Sequence, residues 1–245
     1  MDLSYIATNL ADVKNRIARA AEHAGRDPAA VTLVAVSKTR DTSFVRAAID
    51  AGQTVFGENY VQELIAKAGE AGPGVAWHLI GHLQTNKVKK IVGVAGTIQS
   101  IDRADLAVEI EKRAAAAGSR RPDGSSLGPS AMAGLTVDCL IEVNLAGELS
   151  KTGCPPGEVP GLVNACRGLP HIRLRGLMCI PPFLPAEEVR PYFKKLRELG
   201  FRITNEVDAG PLFADLSMGM SGDFEAAVEE GATIIRVGTA IFGER

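Results

Sequence analysis

A regular alternation of short apolar runs with longer helical stretches restricts the fold of this chain more than any other feature. The runs have the length of β-strands and are apolar along most of that length, as strands are when helices cover a parallel sheet on both sides. They occupy residues 31–37, 53–57, 76–81, 96–101, 137–143, 173–180, 214–219 and 233–238. The pattern therefore predicts an α/β fold.

Helices are predicted between these strands. They cover Thr42–Ala51, Glu58–Ala71, Gln84–Val92, Arg103–Ala117, Gly157–Arg167, Ala186–Leu199 and Gly222–Glu230. The cap-type residues Asp41, Asp102 and Ser221 precede three of them. A further helix at the N-terminus, Leu3–Ala24, carries apolar residues at steps of three and four. Phe201 is expected to lie in the core.

Eight strands separated by seven helices, in a chain of 245 residues, fit the order and length of one (β/α)8 barrel, the TIM barrel. We therefore expect a single domain over residues 1–245, with the N-terminal helix added to the barrel. An open, doubly wound sheet has the same alternation and remains the alternative. Residues 118–134 are rich in Gly, Ser and Pro and are expected to form a flexible loop insertion.

Composition excludes several classes of protein. The 27 Lys and Arg residues nearly balance the 29 Asp and Glu residues, so no overall basic field attracts nucleic acid or an anionic membrane. The apolar runs are shorter than a bilayer-spanning helix, and the N-terminus lacks a signal-peptide pattern. The four cysteines form no C-x-x-C pair, which indicates reduced thiols and no zinc site. We expect a cytoplasmic protein that binds no metal.

The candidate functional residues follow the strands, because a barrel of this class carries its site at the carboxyl ends of its strands. Lys38, after the first strand, is either a surface cation or a desolvated amine that attacks a carbonyl. The seventh strand ends in a Gly- and Ser-rich loop, 216–223, with Ser217 and Ser221, and the eighth ends at Gly238, with Thr239 next. Hydroxyls and the free amides at a helix start bind phosphate. An amine beside a phosphate site suits a small phosphorylated aldehyde.

Arg236 lies inside the eighth strand, two residues before Gly238. A buried guanidinium needs acceptors for its protons. Those acceptors are either a carboxylate in the barrel interior, which makes the arginine structural, or the ring nitrogen or phosphate of a ligand. The residues alone favour neither alternative.

Seven segments, in order along nearly the whole chain, match the motifs of one known family. They are AVSKTR (35–40), FGENYVQE (56–63), WHLIGHLQTNK (77–87), IQSID (98–102), EVNLAGELSKTG (142–153), RGLMCIPP (175–182) and LSMGMSGDFEAAVEEGATIIRVGTAIFG (216–243). In these segments the chain resembles the YggS/PROSC-type pyridoxal phosphate homeostasis proteins. The resemblance implies a fold-type III barrel like the N-terminal domain of alanine racemase, without that enzyme's second domain.

The resemblance also implies roles for individual residues. Lys38 forms an internal aldimine with pyridoxal 5′-phosphate, and Arg236 faces the pyridine nitrogen. A permanently charged donor there keeps the ring nitrogen unprotonated, which weakens the cofactor as an electron sink. His82 lies at the barrel mouth in the family pattern, with a role that stays open.

The remaining residues implied by the resemblance surround the cofactor. Ser217, Gly238 and Thr239 belong to the phosphate site. Asn59 and Met178 flank the ring or the Schiff base.

The function implied is storage and delivery of the cofactor, because the family's barrel lacks the tyrosine that the racemase takes from its second domain. We therefore expect a homeostasis or carrier protein without robust turnover and without further catalytic residues, monomeric, with apo-enzymes that use pyridoxal phosphate as partners. A pyridoxal phosphate-dependent racemase-like enzyme is the alternative. A Schiff-base aldolase acting on a sugar phosphate through Lys38 is a third hypothesis.

Overall fold

The computed structural model describes residues 2–118, 135–148, 151–207 and 209–244. Eight parallel strands form a closed barrel in chain order. They are β1 Thr32–Val36, β2 Val55–Glu58, β3 Ala76–Leu79, β4 Thr97–Ile101, β5 Val137–Glu142, β6 Ile172–Met178, β7 Asp215–Ser217 and β8 Ile234–Val237. β8 pairs with β1, with Leu33 opposite Ile235, and this pairing closes the cylinder. The predicted (β/α)8 barrel is confirmed, and the open doubly wound sheet is wrong.

Helices lie between the strands and outside the barrel. They are α1 Tyr5–His23, α2 Thr42–Asp50, α3 Val61–Ala71, α4 Val88–Ile91, α5 Ala104–Gly118, α6 Val159–Arg167, α7 Ala186–Glu206, α8 Phe224–Glu229 and α9 Thr239–Phe242. Asp41 caps α2 as predicted, because its carboxylate accepts a hydrogen bond from Ser43 N at 2.8 Å. Among the described residues, no helix is both long and apolar enough to cross a membrane.

The seventh helix is longer than the sequence predicts. α7 continues past Leu199 to Glu206, with Leu199, Gly200 and Ile203 on its buried face. Phe201 falls on the opposite face and is 74% exposed, so its expected place in the core is wrong. The cause is the period of the helix, which turns residue 201 away from the barrel once the helix continues.

The N-terminal helix packs on the outside of the barrel, against α2, α8 and α9. Its stripe of Ile6, Leu10, Val13 and Ile17 is buried, as the spacing predicts. Polar contacts add to this packing, for example Tyr5 Oη donating to Phe242 O at 3.1 Å. α1 thus flanks the segment that follows β8 and holds it in place.

The apolar core has two parts. The larger lies between the strands and the helices, and the smaller contains residues of four strands: Val34, Leu140, Met178 and Ile234. Because the smaller cluster contains no helical residue, it lies inside the barrel, as in other filled barrels of this class. Gly118 is the last residue of α5, and the rest of the predicted loop insertion, 119–134, lies outside the described residues.

Candidate functional site

The carboxyl ends of β1 and β8 are neighbours, and this places Lys38 close to the loop that begins at Gly238. A Cβ built on Gly238 would lie 3.2 Å from Val36 O, so the two backbones approach closely and a side chain at residue 238 would be crowded. Lys38 follows Val36 by two residues and is half-buried. Two features that are 200 positions apart in the sequence therefore meet at one rim of the barrel.

Ser221 connects the loop after β7 to the segment that follows β8. Its Oγ accepts hydrogen bonds from Gly238 N at 3.2 Å and from Ala240 N at 3.3 Å. The prediction that Ser221 caps its own helix is wrong, because α8 begins later, at Phe224 with Asp223 before it. Two amides at the start of α9 thus donate to one oxygen atom. Backbone amides that converge in this way also bind an oxygen atom of an anion.

Arg236 is the end of a buried chain of hydrogen bonds inside the barrel. It donates from Nη1 to Ser217 Oγ at 2.5 Å and from Nη2 to Cys179 O at 2.8 Å. Ser217 Oγ donates to Gln99 Oε1 at 2.7 Å, and Gln99 Nε2 lies 2.8 Å from His78 Nδ1. β3, β4, β7 and β8 each contribute one side chain. We call these four side chains (His78, Gln99, Ser217 and Arg236) the central chain.

The charge of the central chain comes from Arg236 alone. Burial lowers the pKa of His78 to about 4, so this imidazole is neutral near pH 7 and its Nδ1 accepts from Gln99. Burial also lowers the pKa of Arg236, although a guanidinium stays protonated. Within the described residues Arg236 forms no ion pair; its acceptors are a hydroxyl and a carbonyl oxygen. The interior carboxylate that a purely structural role predicts is therefore not among its hydrogen-bond partners.

Met178 and Glu142 end the neighbouring strands β6 and β5 in register with each other. Met178 is also in register with Ser217, so it lies beside the central chain. Glu142 Oε1 accepts from Thr152 Oγ1 at 2.6 Å, whereas Oε2 is buried without a hydrogen-bond partner among the described residues. Burial raises the pKa of Glu142. A buried oxygen without a partner marks a place where a ligand or water donor fits.

A second buried polar cluster joins β1, β2 and α3 next to Lys38. Lys67 Nζ donates to Glu58 Oε1 at 2.7 Å, to Ser37 O at 2.7 Å and to Glu63 Oε2 at 3.0 Å. Ser37 Oγ donates to Glu58 Oε1 at 2.6 Å. Burial raises the pKa of Glu58 in spite of these bonds. We call Ser37, Glu58, Glu63 and Lys67 the β1–β2 ion cluster.

Two other predicted residues lie at further points of the same rim. Asn59 follows β2 directly and is half-buried. His82 follows β3, and its Nδ1 is 3.4 Å from Asp102 Oδ2. Asp102 also accepts from Arg103 Nη1 at 2.6 Å, and α5 begins two residues after it, at Ala104. His82 is thus tied to the start of α5.

Sequence reasoning missed most partners of the residues that it predicted. It singled out Ser217 and Arg236, which the structure joins directly, but neither His78 nor Gln99 as part of their chain. The only local signal for the β1–β2 ion cluster is the spacing of Glu63 and Lys67, which are four residues apart on α3.

Comparisons with known proteins show the family of this chain. The family model described as "Alanine racemase, N-terminal domain" matches residues 8–245. The pyridoxal phosphate homeostasis protein of Pseudomonas aeruginosa is 43% identical over 99% of this chain and 97% of its own length. The protein of the same name from Aquifex aeolicus is 43% identical, with 96% of each chain covered.

A solved structure gives the same result. PipY of Synechococcus elongatus PCC7942, determined with PLP bound, superposes with a TM-score of 0.80 at 34% identity, covering 97% of this chain and all of its own. Fold, sequence and the length of the match therefore agree, and the chain belongs to the family of pyridoxal phosphate homeostasis proteins, which share the barrel of the alanine racemase N-terminal domain.

Proposed function

We propose that this protein binds pyridoxal 5′-phosphate covalently through Lys38 and serves in homeostasis of that cofactor. The observation that carries the proposal is the meeting of three features at one rim: Lys38, the amides that follow Gly238, and the buried Arg236. The names of the relatives and the PLP-bound structure of PipY support it. Bound there, the cofactor supplies an aldehyde that condenses reversibly with an amine.

The residues present fit the group. Ser221 Oγ now accepts from the amides of Gly238 and Ala240, and a phosphate oxygen would take the place of that hydroxyl beside Gly238 and Thr239 at the start of α9.

Arg236 would donate to the pyridine nitrogen. Ser217, which the sequence assigned to the phosphate site, accepts from Arg236 and donates to Gln99, so we propose that it orients the guanidinium instead. Asn59 and Met178 are proposed to flank the ring.

Arg236 has a further consequence for chemistry in this site. Its guanidinium does not give up a proton near neutral pH, so a ring nitrogen that faces it stays unprotonated. A ring in that state withdraws electrons less strongly, which favours holding the cofactor over turning over amino acids. We therefore propose a carrier role, in a monomeric cytoplasmic protein that delivers pyridoxal phosphate to apo-enzymes.

Reductive trapping tests the covalent site. The protein is incubated with pyridoxal phosphate, reduced with borohydride and mapped by mass spectrometry. We expect a pyridoxyl group on Lys38 and complete loss of the visible band of the bound cofactor in Lys38→Ala. Lys14→Ala, which removes an exposed lysine of α1, is the matched control and should label like the wild type. Labelling of another lysine, or a colourless wild-type protein, contradicts the proposal and favours the aldolase hypothesis.

A turnover assay then separates a carrier from an enzyme. The loaded protein is mixed in turn with amino acids and with an apo-enzyme that requires the cofactor. Activation of the apo-enzyme without racemisation supports the carrier role. Racemisation at ordinary enzyme rates, about 1 per second or faster, contradicts it.

A further inference from the structure

The peptide groups on both sides of Lys38 are held by charged side chains of the β1–β2 ion cluster. Lys67 Nζ donates to Ser37 O, the carbonyl that precedes Lys38, at 2.7 Å. Glu63 Oε2 accepts from Thr39 N, the amide that follows it, at 2.8 Å. Glu63 and Lys67 are themselves joined at 3.0 Å, so the two contacts form one unit on α3.

The backbone at this point adopts a conformation that needs support. Thr39 has φ +63°, and it is the only non-glycine residue with positive φ among the described residues. A β-branched residue is strained there, and such strain persists only where the surroundings impose it. The amide that Glu63 holds belongs to this strained residue.

Two charged members of the cluster are buried deeply, whereas Glu63 is half-buried. Lys67 is only 5% exposed, and Glu58 is fully buried. All three protons of the Lys67 ammonium have acceptors, namely Glu58 Oε1, Ser37 O and Glu63 Oε2. An ammonium group has three donors, so this one is saturated by the protein and is not available to a ligand.

We propose that Glu63 and Lys67 are positioning residues for Lys38: they clamp the two peptide groups that flank it and so fix the direction in which its side chain leaves β1. This inference rests on the proposed function of Lys38. A lysine held in one direction meets the cofactor's aldehyde more often in a productive geometry, which speeds formation of the covalent bond. The aldehyde carbon gains a double bond to Nζ, and the carbonyl oxygen leaves as water with two protons from the amine.

A pair of substitutions at Glu63 tests the clamp. Glu63→Ala removes the acceptor for Thr39 N, whereas Glu63→Gln keeps an oxygen in its place. We expect the rate at which the visible cofactor band forms to fall about fivefold in Glu63→Ala, the effect of one hydrogen bond of ordinary net strength, and to recover in Glu63→Gln. The visible circular dichroism of the bound cofactor should change in Glu63→Ala alone. Glu70→Ala, on the exposed face of the same helix, is the control and should match the wild type.

A second variant removes the other contact without leaving a buried charge. The double variant Glu58→Gln/Lys67→Met replaces the buried ion pair by neutral side chains, a change that proteins often accept without loss of stability. It should fold, bind the cofactor on Lys38 and react more slowly than the wild type.

The outcomes separate this inference from the proposed function. If Glu63→Ala and the double variant form the band at the wild-type rate with the wild-type dichroism, the clamp is overturned while Lys38 remains the site. If the wild type and Glu70→Ala take no pyridoxyl label on Lys38, the proposed function itself fails.

Discussion

The β1–β2 ion cluster and the central chain are both sets of polar side chains at the barrel, and they differ in what contacts their positive charge. In the β1–β2 ion cluster the Lys67 ammonium meets the carboxylates of Glu58 and Glu63 at 2.7 and 3.0 Å. In the central chain Arg236 meets a hydroxyl and a carbonyl, and within the described residues it has no ion pair. The first group supplies carboxylates of its own for its cation. The second keeps a buried positive charge that an incoming anion or ring nitrogen can use.

The difference separates two uses of a buried cation. A buried charge without a contacting counter-ion is costly, so a fold that keeps one indicates a function for it. The carboxylates of Glu142 and Asp223 act on Arg236 only from beyond ion-pair distance. A buried cation that already contacts carboxylates is weaker evidence for a binding site, because those carboxylates occupy its hydrogen-bond donors. On this comparison Lys67 supports the backbone beside the proposed site, whereas Arg236 is the proposed contact of the cofactor, although both are buried.

We expect the largest effect from a substitution that removes the cation of the β1–β2 ion cluster. Lys67→Met leaves the Glu58 carboxylate buried without its cation, and we expect a loss of about 3–5 kcal/mol in the free energy of unfolding at pH 7. The loss should shrink as the pH falls, because burial raises the pKa of Glu58 and a protonated Glu58 needs no cation. Urea unfolding at pH 7 and pH 5 measures both quantities. Lys89→Met, at an exposed position of α4, is the control. A loss of stability at pH 7 no larger than that of Lys89→Met would show that Lys67 does not stabilise the buried Glu58 carboxylate.

A smaller effect tests whether His78 is neutral, so that Arg236 carries the only charge of the central chain. The pKa of folded His78 is about 4, against an ordinary value of 6.5, so the unfolded chain binds the proton first as the pH falls. Stability from this group is fully present above pH 6.5 and decreases toward pH 4, by about 3 kcal/mol in all. His78→Gln should lack this part of the pH dependence, whereas His23→Gln, at an exposed position of α1, should retain it. Equal slopes for His78→Gln and the wild type between pH 6.5 and 4 contradict a neutral His78.

The smallest expected effect on stability concerns Arg236. Arg236→Met removes hydrogen bonds but also an unmatched buried charge, so we expect the free energy of unfolding to change by less than about 2 kcal/mol. Affinity for pyridoxal phosphate should fall about tenfold or more, since a hydrogen bond from a charged donor is lost. Urea unfolding and a spectroscopic titration measure the two effects. A loss of stability as large as that of Lys67→Met, with affinity unchanged, removes the distinction between the two groups.

Part of this architecture could be predicted from the sequence. The apolar runs predicted all eight strands, and Asp41 was recognised as the cap of α2. Lys38 was recognised as a strand-end residue, because it directly follows an apolar run. These predictions succeed because they depend on residues within one turn of helix or one strand of each other.

Other parts could not be predicted because they depend on contacts across the barrel. Ser221 looks like a helix cap in the sequence, but its hydroxyl accepts from Gly238 N at 3.2 Å. Phe201 looks like a core residue, but the extension of α7 turns it to solvent. The assignments of cofactor contacts all stay predictions; they concern Lys38, Asn59, Met178, Ser217, Arg236, Gly238 and Thr239.

The sequence by itself determined the order and kind of the elements and which residues stand at the carboxyl ends of the strands, because the periodicity of apolar residues is a local property. Only the tertiary structure decided that His78, Gln99, Ser217 and Arg236 form one chain and that Glu63 and Lys67 hold the backbone around Lys38. The physical reason is the closure of the barrel: the pairing of β8 with β1 fixes which side chains share the interior, and no local pattern encodes the partner of a buried polar group.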